Sequence, residues 1–140
     1  MARLKIEEGI LALGNSAVEG NLTITDTLYI GNNDFEFNTN AISVPTSANV
    51  VIDAYPGAKY KFAKYFVTIR NAANTLFHAQ EIIVVNYGGN AYMTSYGQVY
   101  NGHELADFDV NIVSGNVQIV AIPTANAVPL TVSTYRTIQA

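Results

Sequence analysis

The chain has 140 residues, enough for one domain with a hydrophobic core and a short extension. Its residues are 49% hydrophobic and only 13% charged, and the formal net charge of −4 provides no basic surface for a phosphate backbone or an anionic membrane. The sequence has no cysteine, which excludes disulfides and thiolate metal sites. We therefore expect no nucleic-acid or membrane partner.

The first 40 residues contain short, alternating segments punctuated by glycine. Gly9, Gly20 and Gly31 fall at an 11-residue interval. Between and after them apolar residues alternate with polar ones, which is the period-2 pattern of strands with one buried face. The apolar residues of this pattern are Leu11, Leu13, Leu22, Ile24, Leu28, Ile30, Phe35 and Phe37. Glu7 and Glu8 interrupt any hydrophobic region of a signal peptide.

Strands of about three to five residues bury too little apolar surface to be stable alone. We therefore predict that residues 1–45 form a β arm for trimerisation or attachment, in which three copies bury the alternating apolar side chains against one another. The alternative is that these strands form an ordinary meander on the sandwich of the same chain. The run VPTSAN, residues 44–49, indicates the boundary with a body spanning residues 46–140.

The body carries longer strand candidates rich in Val, Ile, Tyr, Phe and Thr. They are predicted at 50–55, 60–71, 75–87, 91–100, 108–113, 116–122 and 130–138. Glycine can supply the positive φ angles of tight turns at Gly88–Gly89, Ser114–Gly115 and Asn101–Gly102. Because no segment has a helical period, the pattern predicts an all-β fold, an antiparallel and jelly-roll-like β-sandwich preceded by the arm.

Alternation within the body also predicts which side chains form the core. The predicted inward residues are Phe62, Phe66, Ile69, Leu76, Ile82, Val84, Tyr92, Phe108, Val110, Ile112, Val117, Ile119, Leu130 and Val132. A core of this size is sufficient for the body to fold without the arm.

The sequence shows no arrangement typical of a metal site or a nucleophilic enzyme. His78 and His103 have no second histidine at metal-ligand spacing, and the run HELADFD at 103–109 is typical of a solvated turn. There is also no nucleophile elbow and no phosphate-binding loop. We expect a protein without metal or cofactor.

Carboxylates offer one enzymatic alternative. A hydrolase acting on surface polysaccharide would need Glu81, Asp107 or Asp109 to face one another across a cleft. Alternation instead places Asp107 and Asp109 on the face opposite Phe108 and Val110, which is typical of a polar outer surface. We therefore expect a protein that is not an enzyme.

Tyrosines are concentrated in one hairpin of the body. Tyr92, Tyr96 and Tyr100 share a parity and are expected to lie on one face of their strand. Such rings suit a protein interface or stacking on a sugar, and they equally suit a cross-strand aromatic ladder. The sequence leaves these three interpretations open.

Two parts of the sequence resemble a known family. The arm sequence GNLTITDTLYIGN, residues 20–32, resembles the phrase G-N-L-x-[VI]-x-x-x-L-x-[VI]-G of trimeric fibre, appendage and decoration proteins of tailed bacteriophages. From about residue 60 onwards, the body is similar to a β-sandwich module of phage virion proteins. The similar segments are AKYFVTIRNAANTLFHAQEIIVVNYGGNAYMTSYGQVY, LADFDVNIVSGNVQIVAIPTANA and TVSTYRTIQA.

The resemblance implies a virion structural protein, most often a homotrimer, that is assembled in the host cytoplasm and has no cofactor and no catalytic residues. A short arm joined to one sandwich suits a capsid decoration, or cement, protein that binds the major capsid protein and stabilises the head, and this is the function we expect. The alternative is a tail-fibre or appendage component whose sandwich binds a receptor or host glycan through Tyr92, Tyr96 and Tyr100.

Overall fold

In a computed structural model, the chain is described at residue 20 and over residues 23–24, 27–30, 35–124 and 129–140. Nine strands and no helix occur in these ranges, which accordingly include no helical segment able to cross a membrane. The strands are β1 (Leu28–Ile30), β2 (Phe35–Val44), β3 (Val50–Pro56), β4 (Phe62–Asn71), β5 (Phe77–Tyr87), β6 (Asn90–Tyr100), β7 (Ala106–Val113), β8 (Asn116–Pro123) and β9 (Leu130–Gln139).

The strands form two antiparallel sheets that enclose a shared core. The large sheet has the order β1-β2-β9-β4-β5-β6, and the small sheet has the order β3-β8-β7. In the large sheet, β4, β5 and β6 follow one another as a meander. The predicted antiparallel β-sandwich is confirmed.

The observed strands and turns of the body follow the sequence closely. Each of the seven predicted strands has both ends within two residues of its observed bounds. Gly88 and Gly89 have φ angles of 60° and 80°, and Ser114 and Gly115 have φ angles of 51° and 81°. Two successive positive φ angles characterise the hairpin turn whose twist matches that of the flanking strands. Local turn chemistry therefore sets these two hairpins.

The large sheet extends to the N-terminal side of the predicted arm boundary. β2 pairs with β9 over its full length, from Phe35 opposite Gln139 to Val44 opposite Leu130. It is thus a ten-residue strand within the sandwich, longer than the short strands expected before residue 45. Within the described residues, β1 adds only three residues at the edge beyond β2.

The core between the sheets confirms most of the predicted inward residues. The confirmed buried residues are Ile69, Ile82, Val84, Phe108, Val117, Ile119, Leu130 and Val132, while Leu76, Val110 and Ile112 are partly buried against them. Three assignments are wrong, because Phe62, Phe66 and Tyr92 are 50%, 45% and 61% exposed.

The error in β4 has an electrostatic reason. Phe62 and Phe66 share their parity with Lys64 and Arg70, and a strand face that carries two cations cannot be buried without a large desolvation cost. The opposite face of β4 therefore packs in the core, with Ala63, Tyr65, Val67 and Ile69 buried.

A buried ion cluster joins the two sheets. We use this name for Arg136 on β9, Glu36 on β2, Asp53 on β3 and Tyr65 on β4. The Arg136 guanidinium donates to Glu36 and, over 2.6 Å, to Oδ2 of Asp53. The Tyr65 hydroxyl donates to the same Asp53 oxygen over 2.8 Å. Four strands from both sheets are therefore joined by charge-assisted hydrogen bonds.

Burial and charge act together on the groups of the cluster. Burial alone would lower the pKa of Arg136, but the neighbouring carboxylates of Asp53 and Glu36 outweigh it and raise that pKa. Burial, reinforced by Asp53, raises the pKa of Tyr65, so that its hydroxyl keeps the proton it donates. Burial also raises the pKa of the adjacent Tyr55 to about 12. The arginine is charged and both phenols are neutral at physiological pH.

Replacing Arg136 by methionine should destabilise the protein strongly. Glu36 and Asp53 would remain buried without their cation, and removing one partner of a buried ion pair typically costs about 3–5 kcal/mol. Equilibrium unfolding in urea measures the change in free energy. The control is Lys64→Met, which breaks the exposed contacts with Glu81 and Tyr96 and should change the midpoint little. Equal midpoints for the two variants would contradict the assigned role of the cluster.

Candidate functional site

The face of the large sheet that points away from the small sheet is exposed, and we call it the outer face. Strand pairing aligns its side chains in rows that cross the sheet. One row, the aromatic row, contains Thr39, Tyr135, Phe66, Glu81 and Tyr96. The next row, the floor row, contains Ala41, Ser133, Thr68, Ala79 and Val99. A third row includes Thr131, Arg70 and Phe77.

A cleft lies above the floor row, because its short side chains stand between longer ones on both sides. The cleft consists of three adjoining cavities of about 490, 460 and 230 Å³. Thr68 lines all three cavities, Ser133 lines the first and third, and Phe77 lines the second and third. The floor row crosses five strands, so the cleft is roughly 19 Å long.

Aromatic side chains form the walls of this cleft. Phe66 and Tyr135 stand on one side, and Phe77 stands on the other. The Tyr135 ring packs edge to face against Phe37 with centroids 4.4 Å apart, an arrangement that aromatic pairs favour. The wall is therefore supported from the adjacent strand.

The charge of Glu81 on the aromatic row is neutralised by Lys64, which lies in the neighbouring row. Lys64 Nζ lies 3.2 Å from Oε1 of Glu81 and 6.0 Å from the centroid of the Tyr96 ring. Hydrogen bonding with Tyr96 and Lys64 lowers the pKa of Glu81, and hydrogen bonding with Glu81 and Tyr96 raises the pKa of Lys64. Both groups stay charged over the physiological range, and together they contribute no net charge beside the cleft.

The three tyrosines singled out in the sequence do not share a face. Tyr92 and Tyr96 lie on the outer face, opposite Val85 and Glu81. Beyond Tyr96, β6 contains a bulge at Gly97, whose φ angle is 65°, and the extra residue of a bulge reverses the alternation of the following side chains. Tyr100 consequently pairs with a core-facing residue, and the prediction of a shared face is wrong for it.

The core-facing residue opposite Tyr100 is His78. It is buried on β5 and contacts both β6 and the segment before β7. Its Nδ1 accepts from the backbone N–H of Leu105 over 3.4 Å, and its Nε2 lies 3.1 Å from Oε1 of Gln80. The Tyr100 ring packs edge to face against the imidazole, with centroids 5.8 Å apart. Burial lowers the pKa of His78, so its neutral form stabilises the fold.

The carboxylates considered for hydrolysis are not brought together. Glu81 lies on the outer face of the large sheet, whereas Asp107 and Asp109 are exposed on the small sheet, on the face opposite the buried Phe108. In the described parts of the chain no three His, Asp or Glu side chains are grouped closely enough to hold a metal ion. His103 is exposed on a bend.

The predicted arm residues are only partly described. Ile24 and Leu28 are exposed, and Leu28 lies beside Phe37 at the edge of the outer face. Ile30 and Phe35 pair with each other on β1 and β2. Leu11, Leu13 and Leu22 lie outside the described residues. Their assignment to an oligomer or attachment interface stays a prediction.

Sequence reasoning missed most of the cleft. The sequence pattern predicts that Phe66 is a core residue, and it does not indicate Tyr135, Thr68, Ser133 or Arg70 as binding residues. The sequence does contain one signal that Phe66 is exposed. Lys64 and Arg70 lie on the same face of β4 as Phe66, and a strand face that carries two cations must be the exposed one. No local signal shows that β9 and β5 supply the rest of the cleft.

Comparison with known proteins gives a limited result. No protein-family model matches the chain, and no curated protein is similar to it in sequence. Solved structures that resemble the fold in part include three tailspike proteins. The tailspike protein of Acinetobacter baumannii phage AM24 is 8% identical, with a TM-score of 0.46 over 76% of this chain and 26% of that one. The tailspike protein gp49 of Acinetobacter baumannii bacteriophage Fri1, a capsular polysaccharide depolymerase, is 12% identical, with a TM-score of 0.47 over 82% and 19%.

The third, the tailspike protein of Acinetobacter phage vB_ApiP_P1, is 15% identical, with a TM-score of 0.41 over 90% of this chain and 26% of that one. The chain therefore spans about a fifth to a quarter of the length of these tailspike proteins. At these identities the similarity concerns the arrangement of strands and assigns no function to this chain.

Stability should depend on pH through His78. The folded state lowers the pKa of His78 below its ordinary value of 6.5, so the unfolded chain binds the proton first as the pH falls. The stabilisation by neutral His78 should be complete above about pH 6.5 and should decrease progressively below it. Urea unfolding at a series of pH values between 7.5 and 5.5 measures the slope.

Two single substitutions, one at each histidine, provide the test and its control. His78→Gln should flatten the dependence of unfolding free energy on pH, while His103→Gln, at an exposed position, should retain the slope of the original protein. An unchanged slope in His78→Gln would show that other groups cause the pH dependence.

Proposed function

We propose that this chain is a non-enzymatic structural protein of a tailed-bacteriophage virion and that it belongs to a tail fibre or another appendage, where its cleft binds a glycan of the host surface. The observation that carries the proposal is the continuous cleft across the outer face, with aromatic walls and a floor of small side chains. The resemblance of the arm and body sequences to phage virion proteins supports the virion setting.

The expected role in capsid decoration has no support in the fold or in the comparisons. The outer face instead has the shape of a binding surface. We therefore replace decoration by the appendage hypothesis. The contact with a major capsid protein that decoration would require is not part of this proposal.

The position of the cleft favours a ligand that is held by side chains. The middle of the cleft crosses β9, β4 and β5, whose backbone groups are paired with neighbouring strands on both sides. A peptide that adds as an extra strand needs a free sheet edge, which the centre of this sheet does not offer. A glycan needs no such edge, because its rings pack on aromatic side chains and its hydroxyls exchange hydrogen bonds with polar ones.

The side chains of the cleft match these requirements. Phe66, Tyr135 and Phe77 provide exposed ring surface for the apolar faces of sugars. Thr68 and Ser133 provide hydroxyls that both donate and accept hydrogen bonds. Pockets that combine apolar walls with a few polar groups, and have volumes of several hundred Å³, are typical binding sites for small ligands.

Homotrimerisation through the arm is part of the same proposal. Ile24 and Leu28 are exposed apolar side chains, and a β1 of three residues is too short to be stable in isolation. Association would bury these side chains. Three sandwiches joined in this way would present three clefts, and multivalent attachment greatly strengthens binding to a repetitive polysaccharide.

Replacing Phe66 by alanine should weaken glycan binding with the fold retained. The ring is half-exposed in the wall of the cleft, and stacking interactions of aromatic rings contribute about 0.5–1.5 kcal/mol, so we expect a loss of roughly twofold to tenfold in affinity. Binding to an array of bacterial surface oligosaccharides, followed by titration of the best binder, measures this loss.

The matched control is Phe62→Ala. Phe62 lies on the same strand and face and is as exposed as Phe66, but it does not line the cleft. Tyr92→Ala tests the hairpin tyrosine that the sequence favoured. Equal losses in Phe66→Ala and Phe62→Ala would remove the cleft as the binding site, and the absence of any binder on the array would remove the proposed function.

Light scattering tests the oligomeric state. The full chain should have the mass of a trimer, and a chain beginning at Asn33, which retains β2 within its sheet, should have the mass of a monomer. Circular dichroism should show an unchanged β spectrum in the shorter chain. A monomeric full chain would contradict the role assigned to the arm.

A further inference from the structure

Arg70 lies at one side of the cleft, in the third of its cavities. It is exposed on β4, with Thr131 of β9 and Phe77 of β5 as its cross-strand neighbours. The cavity, of about 230 Å³, is lined by this arginine together with the hydroxyl side chains of Thr68, Thr131 and Ser133 and the ring of Phe77. An arginine and three hydroxyl residues therefore line one small cavity.

Within the part of the chain that the structure describes, the charge of Arg70 is not neutralised by an ion pair. In the described ranges no carboxylate forms an ion pair with this guanidinium. Glu81, the carboxylate of the aromatic row, is paired with Lys64 over 3.2 Å. The cross-strand rows around the cleft therefore present one unpaired positive charge on a protein whose formal net charge is −4.

We infer that the cleft selects acidic glycans and that Arg70 binds the carboxylate of an acidic sugar residue, with hydroxyls of Thr68, Thr131 or Ser133 binding the same residue. This inference rests on the proposed glycan-binding function and names the chemical class of its ligand. The occupant follows from charge complementarity, because a neutral sugar would leave the arginine without a counter-charge.

The geometry of the side chain strengthens the assignment to a carboxylate. A guanidinium presents planar, paired N–H donors that match the two oxygens of a carboxylate. Hydroxyls beside it can bind the ring substituents of the sugar, while Phe77 provides an apolar surface for the ring itself. The rest of the glycan chain would continue along the floor row towards Phe66 and Tyr135.

The test uses the full chain and an array that contains acidic and neutral bacterial oligosaccharides. The best acidic binder is then prepared in a second form, in which its carboxylates are reduced to primary alcohols. This treatment leaves the sugar rings in place and leaves any phosphate substituent charged. We expect affinity to fall by about tenfold or more on carboxyl reduction, as is usual when a charged group loses its hydrogen-bonding partner.

Variants then assign the effect to a residue. Arg70→Gln should lower the affinity for the acidic form by a similar factor and should leave the affinity for the reduced form unchanged. Arg70→Lys, which retains the charge but not the paired donors, should retain part of the affinity. Lys61→Gln is the control, since it removes one positive charge outside the cleft, from a lysine whose Nζ donates to the backbone oxygen of Gly57. Thermal unfolding of each variant checks that the fold is intact.

The outcomes separate this inference from the function on which it rests. Binding that is indifferent to carboxyl reduction or to Arg70→Gln would overturn the acidic-sugar inference and leave a glycan-binding cleft. Equal losses in Arg70→Gln and Lys61→Gln would also overturn it, because the effect would then be one of overall charge. If no glycan binds, both the proposed function and this inference fail.

Discussion

The buried ion cluster is the interaction on which the arrangement of this protein depends. Arg136 links β9 to Glu36 on β2 and to Asp53 on the opposite sheet, and Tyr65 adds β4 to the same set of hydrogen bonds. Separated charges would be costly to bury, so the sandwich closes favourably only when all four strands reach their places together. The cluster also sets the orientation of β4, because Tyr65 can face Asp53 only if Phe66 and Arg70 face outwards.

This orientation connects the interior to the candidate site. The core uses one face of the large sheet, and the ion cluster and the apolar core side chains determine which face that is. The remaining face then receives aromatic rings, small hydroxyl residues and an arginine in rows that the strand register defines. A cleft that crosses five strands is therefore a product of register, and a small shift of β9 against β4 would separate Tyr135 from Phe66.

Much of the fold could be predicted from the sequence because it depends on local signals. Strands rich in β-branched residues, and turns at Gly88–Gly89 and Ser114–Gly115, appear where the sequence places them. The candidate site could not be predicted in the same way. Phe66 looks like a core residue by hydrophobicity alone, and Tyr100 shares a parity with Tyr96 until the bulge at Gly97 reverses it.

By itself, the sequence determined an all-β chain with its strand bounds and hairpin turns, because turn conformation and β propensity depend on neighbouring residues. Only the tertiary structure decided that β2 belongs to the large sheet, that Arg136 meets Glu36 a hundred residues away, and that Phe66, Tyr135, Phe77 and Arg70 surround one cleft. These are contacts between distant strands, and they are set by the pairing and packing of whole sheets, which no local pattern contains.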